Sequence, residues 1–312
     1  MKRKSHSIAV LSLALLLCSF SAGCGQGAAP APSPSNDPSL PPRETAHTFL
    51  TPETSGTLVY DNSLSSIDCS NSSEGYIMIR YIGEASKAKV RITIPDEVTY
   101  TYTLFGNEYE TFPLSGGDGT YQITVYEHVQ DKTYAVVNSQ TIDVTLADDF
   151  RPFLYPNYYS WYTADTEAVK LGIQMSDQTH NDLEYLSEVY SYIIKNITYD
   201  HELAESGPVD YVPEVDRTLA SGKGICFDYA ALMTSMLRSQ GIPTKLEVGY
   251  AGKAYHASIS VYRKEIGWVD GIIQFDGQNW SLMDPTLAAS NSSKSVGKYI
   301  GDGSNYTLKY SY

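Results

Sequence analysis

A thiol, an imidazole and a carboxylate follow one another along the second half of this chain, as Cys226, His256 and Asp284, at separations of 30 and 28 residues. Cys226 sits in SGKGICFDYAALMTSML, between glycines and an apolar run that reads as a helix. Gly224 is expected to let the chain turn sharply there, putting the sulfur at a helix N-terminus. Unpaired N–H groups and the helix dipole at that end favour a thiolate, one route by which a nucleophilic sulfur is activated. Asp228 pulls the other way as a neighbouring anion, and reads best as a first-turn acid capping free N–H groups. A nucleophile needs a base, and the base needs an acceptor on its second ring nitrogen to fix the tautomer and steady the imidazolium. His256, in AYHASISVY, and Asp284, in NWSLMDPT, are the candidates, provided that their two strands pair.

The elements that must position these groups show in the spacing of apolar residues. DLEYLSEVYSYIIKNI repeats Leu183, Leu186, Tyr190, Ile193 and Ile194 at helical intervals. After Cys226, Ala230, Met233, Met236 and Leu237 form one apolar stripe, and Gly241 and Pro243 stop that helix. The pattern then turns to strands in KLEVGY, HASISVY, GWVDGIIQF, NWSLMD and YTLKYSY. Helices followed by an antiparallel sheet make residues 149–312 an α+β domain. Asp270 and Asp276, each before a glycine, are rival acids that read better as turn residues. Residues 55–148 alternate with a period of two instead, in GYIMIRY, KVRITI, TYTYTLF, TYQITVYE and TIDVTL, with turns at 116–119 and 130–132. Short strands without helices between them predict an all-β, immunoglobulin-like sandwich.

The first 24 residues bear on the compartment. A basic MKRK, an apolar stretch from Ile8 to Leu17 and the small residues of FSAGC form a secretory signal too short to span a bilayer. The trio ahead of Cys24 resembles a bacterial lipoprotein box, although Ser21 stands where leucine is usual; it implies a signal peptide over residues 1–23 and lipidation of Cys24. The expected location is the outer face of a bacterial cell membrane, held by buried acyl chains worth roughly 0.8 kcal/mol per CH₂. Loss of Lys2, Arg3 and Lys4 with that leader takes the net charge from −14 to −17. Such a surface repels phosphate backbones, so nucleic acid is not an expected partner. Residues 24–54 carry the anchor and a tether; 25–46 alone hold six of the fifteen prolines. Eighteen tether residues at about 3.1 Å each would lift a domain roughly 50 Å from its anchor. Two other cysteines remain, Cys69 and Cys226, so this is not a disulfide scaffold.

SGKGICFDYA, LRSQGIPTKLEVGY, YHASISVY and WSLMDPT, in that order, resemble the core motifs of the transglutaminase-like superfamily over about residues 180–290. The resemblance implies a papain-type triad with Cys226 as nucleophile, His256 as base and Asp284 as orienting acid. The expected chemistry is acyl transfer on amide bonds of a protein or peptide, or of a cell-envelope polymer. Animal members of the family need calcium, but no calcium-loop or Cys/His cluster appears here, so no cofactor is expected. Members usually carry a tryptophan two residues after the histidine, where this chain has Ser258. The longer segment between His256 and Asp284 is a second departure. The backbone N–H of Cys226 is a natural half of an oxyanion hole, with no side-chain partner legible upstream. A second function class stays open: a surface binding or adaptor protein on the same scaffold, without turnover. His128, His180 and His201 lack ligand spacing and read as surface or turn residues. The 26 tyrosines read as ordinary sheet formers.

Overall fold

The structure is a computed structural model and describes residues 42–43, 50–207, 210–251, 254–264, 267–270, 273–275, 280–282 and 306–312. The expected signal peptide and Cys24 lie outside these residues. Among those described, no helix is long and apolar enough to cross a membrane.

Residues 59–144 alternate faces because strands place successive side chains on opposite sides. Eight antiparallel strands result: β1 (Val59–Asp61), β2 (Ser65–Asp68), β3 (Tyr76–Tyr81), β4 (Ala88–Thr93), β5 (Thr99–Leu104), β6 (Glu110–Pro113), β7 (Gly119–Gln130) and β8 (Thr133–Val144). They form two sheets, ordered β1-β2-β3-β6 and β5-β4-β7-β8. Ile67, Ile77 and Ile79 of the first share a core with Val90, Ile92, Ile123 and Val125 of the second. The rings of Tyr102 and Phe112 meet across the sheets at 4.8 Å. All five strands predicted here are present within a few residues. The short β1, β2 and β6 carry too few alternating positions to stand out.

The second half opens on α1 (Glu167–Ser176) and α2 (Asp182–Asn196). Asn181 caps α2 by accepting the Glu184 N–H at 2.9 Å. Then come β9 (Thr198–Tyr199), α3 (His201–Ser206), α4 (Val215–Ser221), β10 (Lys223–Gly224) and α5 (Cys226–Arg238). The strands β11 (Thr244–Ala251), β12 (Ala254–Arg263), β13 (Gly267–Val269), β14 (Ile273–Phe275), β15 (Trp280–Leu282) and β16 (Tyr306–Ser311) complete the chain. The main sheet runs β13-β12-β11-β16, so the last strand returns to pair with β11 at the sheet's edge. β15 pairs with β14, and among the described residues it has no ladder with β12, the pairing on which the sequence reading was conditioned.

Helix α5 is the hub. It packs against α1, α2 and α4 on one side and β11 and β12 on the other. Every residue from Asp228 to Arg238 is buried, so the single apolar stripe expected from sequence is too narrow a description. A helix enclosed all round is central, not a surface element. Its polar residues are accommodated one by one. Ser235 Oγ donates to the Ala231 carbonyl at 2.8 Å. Arg238, 1% exposed, donates to the carbonyls of Tyr155, Thr244 and Tyr312 at 2.6–2.8 Å.

An aromatic seam joins the two halves. Tyr100 and Tyr102 of β5 meet Tyr312 at 5.4 and 6.0 Å between ring centres. Tyr102 also meets Tyr158 at 5.1 Å and Tyr159 at 5.7 Å. The Tyr158 hydroxyl donates to the Thr103 carbonyl at 2.7 Å. Several tyrosines read from sequence as plain sheet formers thus act as mortar between the sheets and the helical half.

Candidate active site

Cys226 is the first residue of α5. Ile225 ahead of it is extended, and its N–H donates to Asp228 Oδ2 at 2.8 Å. The carboxylate therefore closes the helix start as predicted, reaching back from the third helical position. Gly224 has a different reason from the one expected. It lies in β10, paired with Tyr199 of β9, and makes no left-handed turn. A Cβ there would stand 2.6 Å from Asp228 Cβ, so close approach, not turning, demands glycine.

The Cys226 sulfur is half-buried, and backbone hydrogen bonding at Ala257 and Phe227 pulls its thiol down. Ala257 follows His256 in β12, so the tip of α5 meets the main sheet at the imidazole's own position in the strand. His256 is buried, and Gly249 of β11 faces it across the ladder. A side chain on Gly249 would strike the Thr307 carbonyl oxygen at 2.2 Å, which is how β16 comes so near.

The electrostatics differ from expectation. Burial pushes the Cys226 thiol up, against the pull of its backbone hydrogen bonds, and the Asp228 charge adds to the rise. Burial also pushes His256 down. Desolvation disfavours both charged forms. At rest Cys226 is thus a neutral thiol and His256 a neutral imidazole, and the helix terminus alone does not ionise the sulfur.

Around the thiol stand residues that the sequence reading did not single out. Burial pushes Tyr199 up, with Cys226 and Asp228 contributing. The Tyr211 hydroxyl donates to Asp228 Oδ1 at 2.6 Å, and Arg217 donates to that same hydroxyl. Arg217 Nη2 lies 3.8 Å from Asp228 Oδ1. Tyr159 packs on Phe227 at 4.9 Å between ring centres. These contacts cross between elements and leave no periodic trace, so no local signal in the sequence could have found them.

The acids proposed to orient His256 part company. β13 pairs with β12 through Val269 opposite Val261, which sets Asp270 level with Ser260, four residues beyond His256. At about 3.4 Å per residue that is roughly 13 Å along the strand, too far for contact. Asp270 instead adds its charge to that of Glu247, whose carboxylate accepts from Ser260 Oγ at 2.7 Å. Asp276 and Asp284 lie outside the described residues. Cys69 and Cys226 both carry free thiols, Cys69 fully buried and pushed up to about 12. Among the described residues no cluster of three or more His, Cys, Asp or Glu side chains could hold a metal.

Comparison with known proteins bears on this region. No curated protein matches the chain. A candidate cysteine protease from Cytophaga hutchinsonii is a similar solved structure, at 14% identity and a TM-score of 0.34, over 82% of this chain and 89% of that one. A candidate protease from Parabacteroides distasonis is similar at 13% identity and a TM-score of 0.29, over 64% of this chain and 61% of that one. The sequence profile described as "Transglutaminase-like superfamily" matches residues 170–271, the stretch holding α5 and β12 with Cys226 and His256. That match covers about a third of the chain.

Proposed function

We propose that this chain catalyses acyl transfer through Cys226, His256 and Asp284. One observation carries the reading: the sulfur at the tip of α5 accepts a hydrogen bond from the residue that follows His256. Cys226 Sγ bonds to the carbon of a carboxamide or peptide carbonyl while its proton passes to His256. The C–N bond then breaks, and His256 returns the proton to the leaving amine. Water or a second amine attacks the resulting thioester, giving its proton to His256, and the thiol is restored. The N–H groups at the start of α5 face the developing oxyanion, and the Asp284 carboxylate steadies the imidazolium. Because the resting pair is uncharged, proton transfer accompanies attack. Hydrolysis is the favoured outcome, in the manner of a cysteine peptidase or amidase.

The first half is read as an immunoglobulin-like sandwich. The orders β1-β2-β3-β6 and β5-β4-β7-β8 support this: two antiparallel sheets, with the chain crossing between them at β3–β4, β5–β6 and β6–β7. The signal and Cys24 make the protein a lipoprotein on the outer face of a bacterial cell membrane, acting on protein, peptide or envelope polymer. The uncharged thiol–imidazole pair favours a second reading, capture of a partner without turnover.

One experiment separates the two. Wild type, Cys226→Ala and His256→Ala are incubated with a thiol-directed peptide electrophile, and labelling is followed by mass spectrometry. Wild type should label at residue 226 at least about a hundredfold faster than His256→Ala, the scale of general-base assistance. Equal, slow labelling of both would leave binding as the function.

A further inference from the structure

We propose that Asp228 is a positioning residue for Cys226: it fixes the first turn of α5 and, through its buried charge, restrains the sulfur in the resting protein. The inference rests on the reading of Cys226 as nucleophile and adds a device that tunes it.

Three observations converge. Asp228 is 1% exposed, two residues from Cys226 on the same helix turn, and the missing side chain of Gly224 makes room for it. Both carboxylate oxygens are engaged: Oδ2 takes the Ile225 N–H, and Oδ1 takes the Tyr211 hydroxyl. Arg217 completes the set, donating to Tyr211 and lying 3.8 Å from Oδ1. A plain cap needs only the first of these contacts. The added tyrosine and arginine, both from outside α5, keep a carboxylate fixed where water cannot screen it.

Geometry gives the consequence a sign. Asp228 faces Tyr211, together with Arg217 and Thr218 of α4 and Tyr199 of β9. Cys226 faces Tyr199, Asp228 and the His256 strand. The carboxylate is the anion in that set, and it opposes a second negative charge on sulfur. Arg217 is the counter-charge that blunts it. Removing Asp228's charge should therefore free the thiolate, and removing Arg217's should suppress it. The arrangement gives a half-buried thiol low reactivity until a substrate brings its carbonyl to the helix tip.

The test needs no substrate. In the full chain, iodoacetamide alkylation of the Cys226 peptide is measured by mass spectrometry from about pH 6 to pH 10, with Cys69 as a reporter of unfolding. Thiolate fraction governs the rate. Asp228→Asn keeps an acceptor for the Ile225 N–H and loses the charge; its curve should move to lower pH, with alkylation about three- to tenfold faster near pH 7.5. Arg217→Gln, at a half-exposed position that risks little folding, should move the curve the other way, with alkylation about two- to threefold slower. Opposite displacements with Cys69 still protected support the proposal. Displacements of the same sign, or none, overturn it, since a purely structural cap would weaken both variants alike. Should the peptide electrophile fail to distinguish Cys226 from an ordinary thiol while the two curves still separate, the catalytic reading falls and the role of Asp228 stands.

Discussion

His256 gives the site a pH dependence with a definite sign. Its folded value lies below the ordinary 6.5 because burial penalises the imidazolium. The native state therefore binds this proton less readily than the unfolded chain does. Stability from the neutral ring is complete above about 6.5 and drains as pH falls through the lowered value. Wild type should lose thermal stability between pH 7.5 and pH 5 more steeply than His256→Gln, in which nothing titrates at that site. Parallel melting curves for the two proteins across that range would rule the linkage out. The Cys226 shift works at the opposite end: its raised value favours the thiol, so that contribution fades only as pH climbs above about 9.

Helix α5 shows how an element can be legible in outline and hidden in purpose. Gly224 is where this matters most. An added methyl would meet Asp228 Cβ at 2.6 Å, and neither atom sits on a flexible arm that could swing away. Gly224→Ala should cost about 1–3 kcal/mol in urea unfolding, the usual range for overpacking. It should also slow electrophile labelling at Cys226, because the strain falls on the turn presenting the sulfur. A variant as stable as wild type would mean that β10 yields easily. The start of this helix and its stop near Gly241, left-handed at φ 75°, could be read from residue types alone. So could the alternation in β4, β7, β11 and β12, since a half-buried strand stamps its period on the sequence. Short α1, α3 and α4 escaped because few turns give little periodicity. The pairing of β15 with β14 escaped because the choice of strand partner is a tertiary one that residue types do not record.

At the scale of the whole molecule, the sequence suggests two lobes on a tether, and the described residues of both halves contribute to one hydrophobic cluster. The change of texture near residue 150 is real, but it marks a change of secondary structure inside a continuous core. What binds the halves is the tyrosine seam, and composition alone could not distinguish tyrosines that pave a sheet from those that join two. Tyr102 is its keystone, 2% exposed and touching Phe112 in the opposite sheet as well as Tyr158, Tyr159 and Tyr312. Tyr159 in turn packs on Phe227, next to the proposed nucleophile. Removing the Tyr102 ring opens a cavity at that junction, and Tyr102→Ala should cost about 3–5 kcal/mol. The two free thiols can report where the loss is felt, since Cys69 is buried in the strand-rich half and Cys226 opens α5 in the other. If the seam makes the halves cooperative, urea will expose Cys69 and unfold α5 at one shared midpoint in wild type, and Tyr102→Ala will lower both by the same amount. Two separate midpoints, with only the Cys69 transition moved by the substitution, would mean that the strand-rich half and the half holding α5 fold as independent bodies that merely touch.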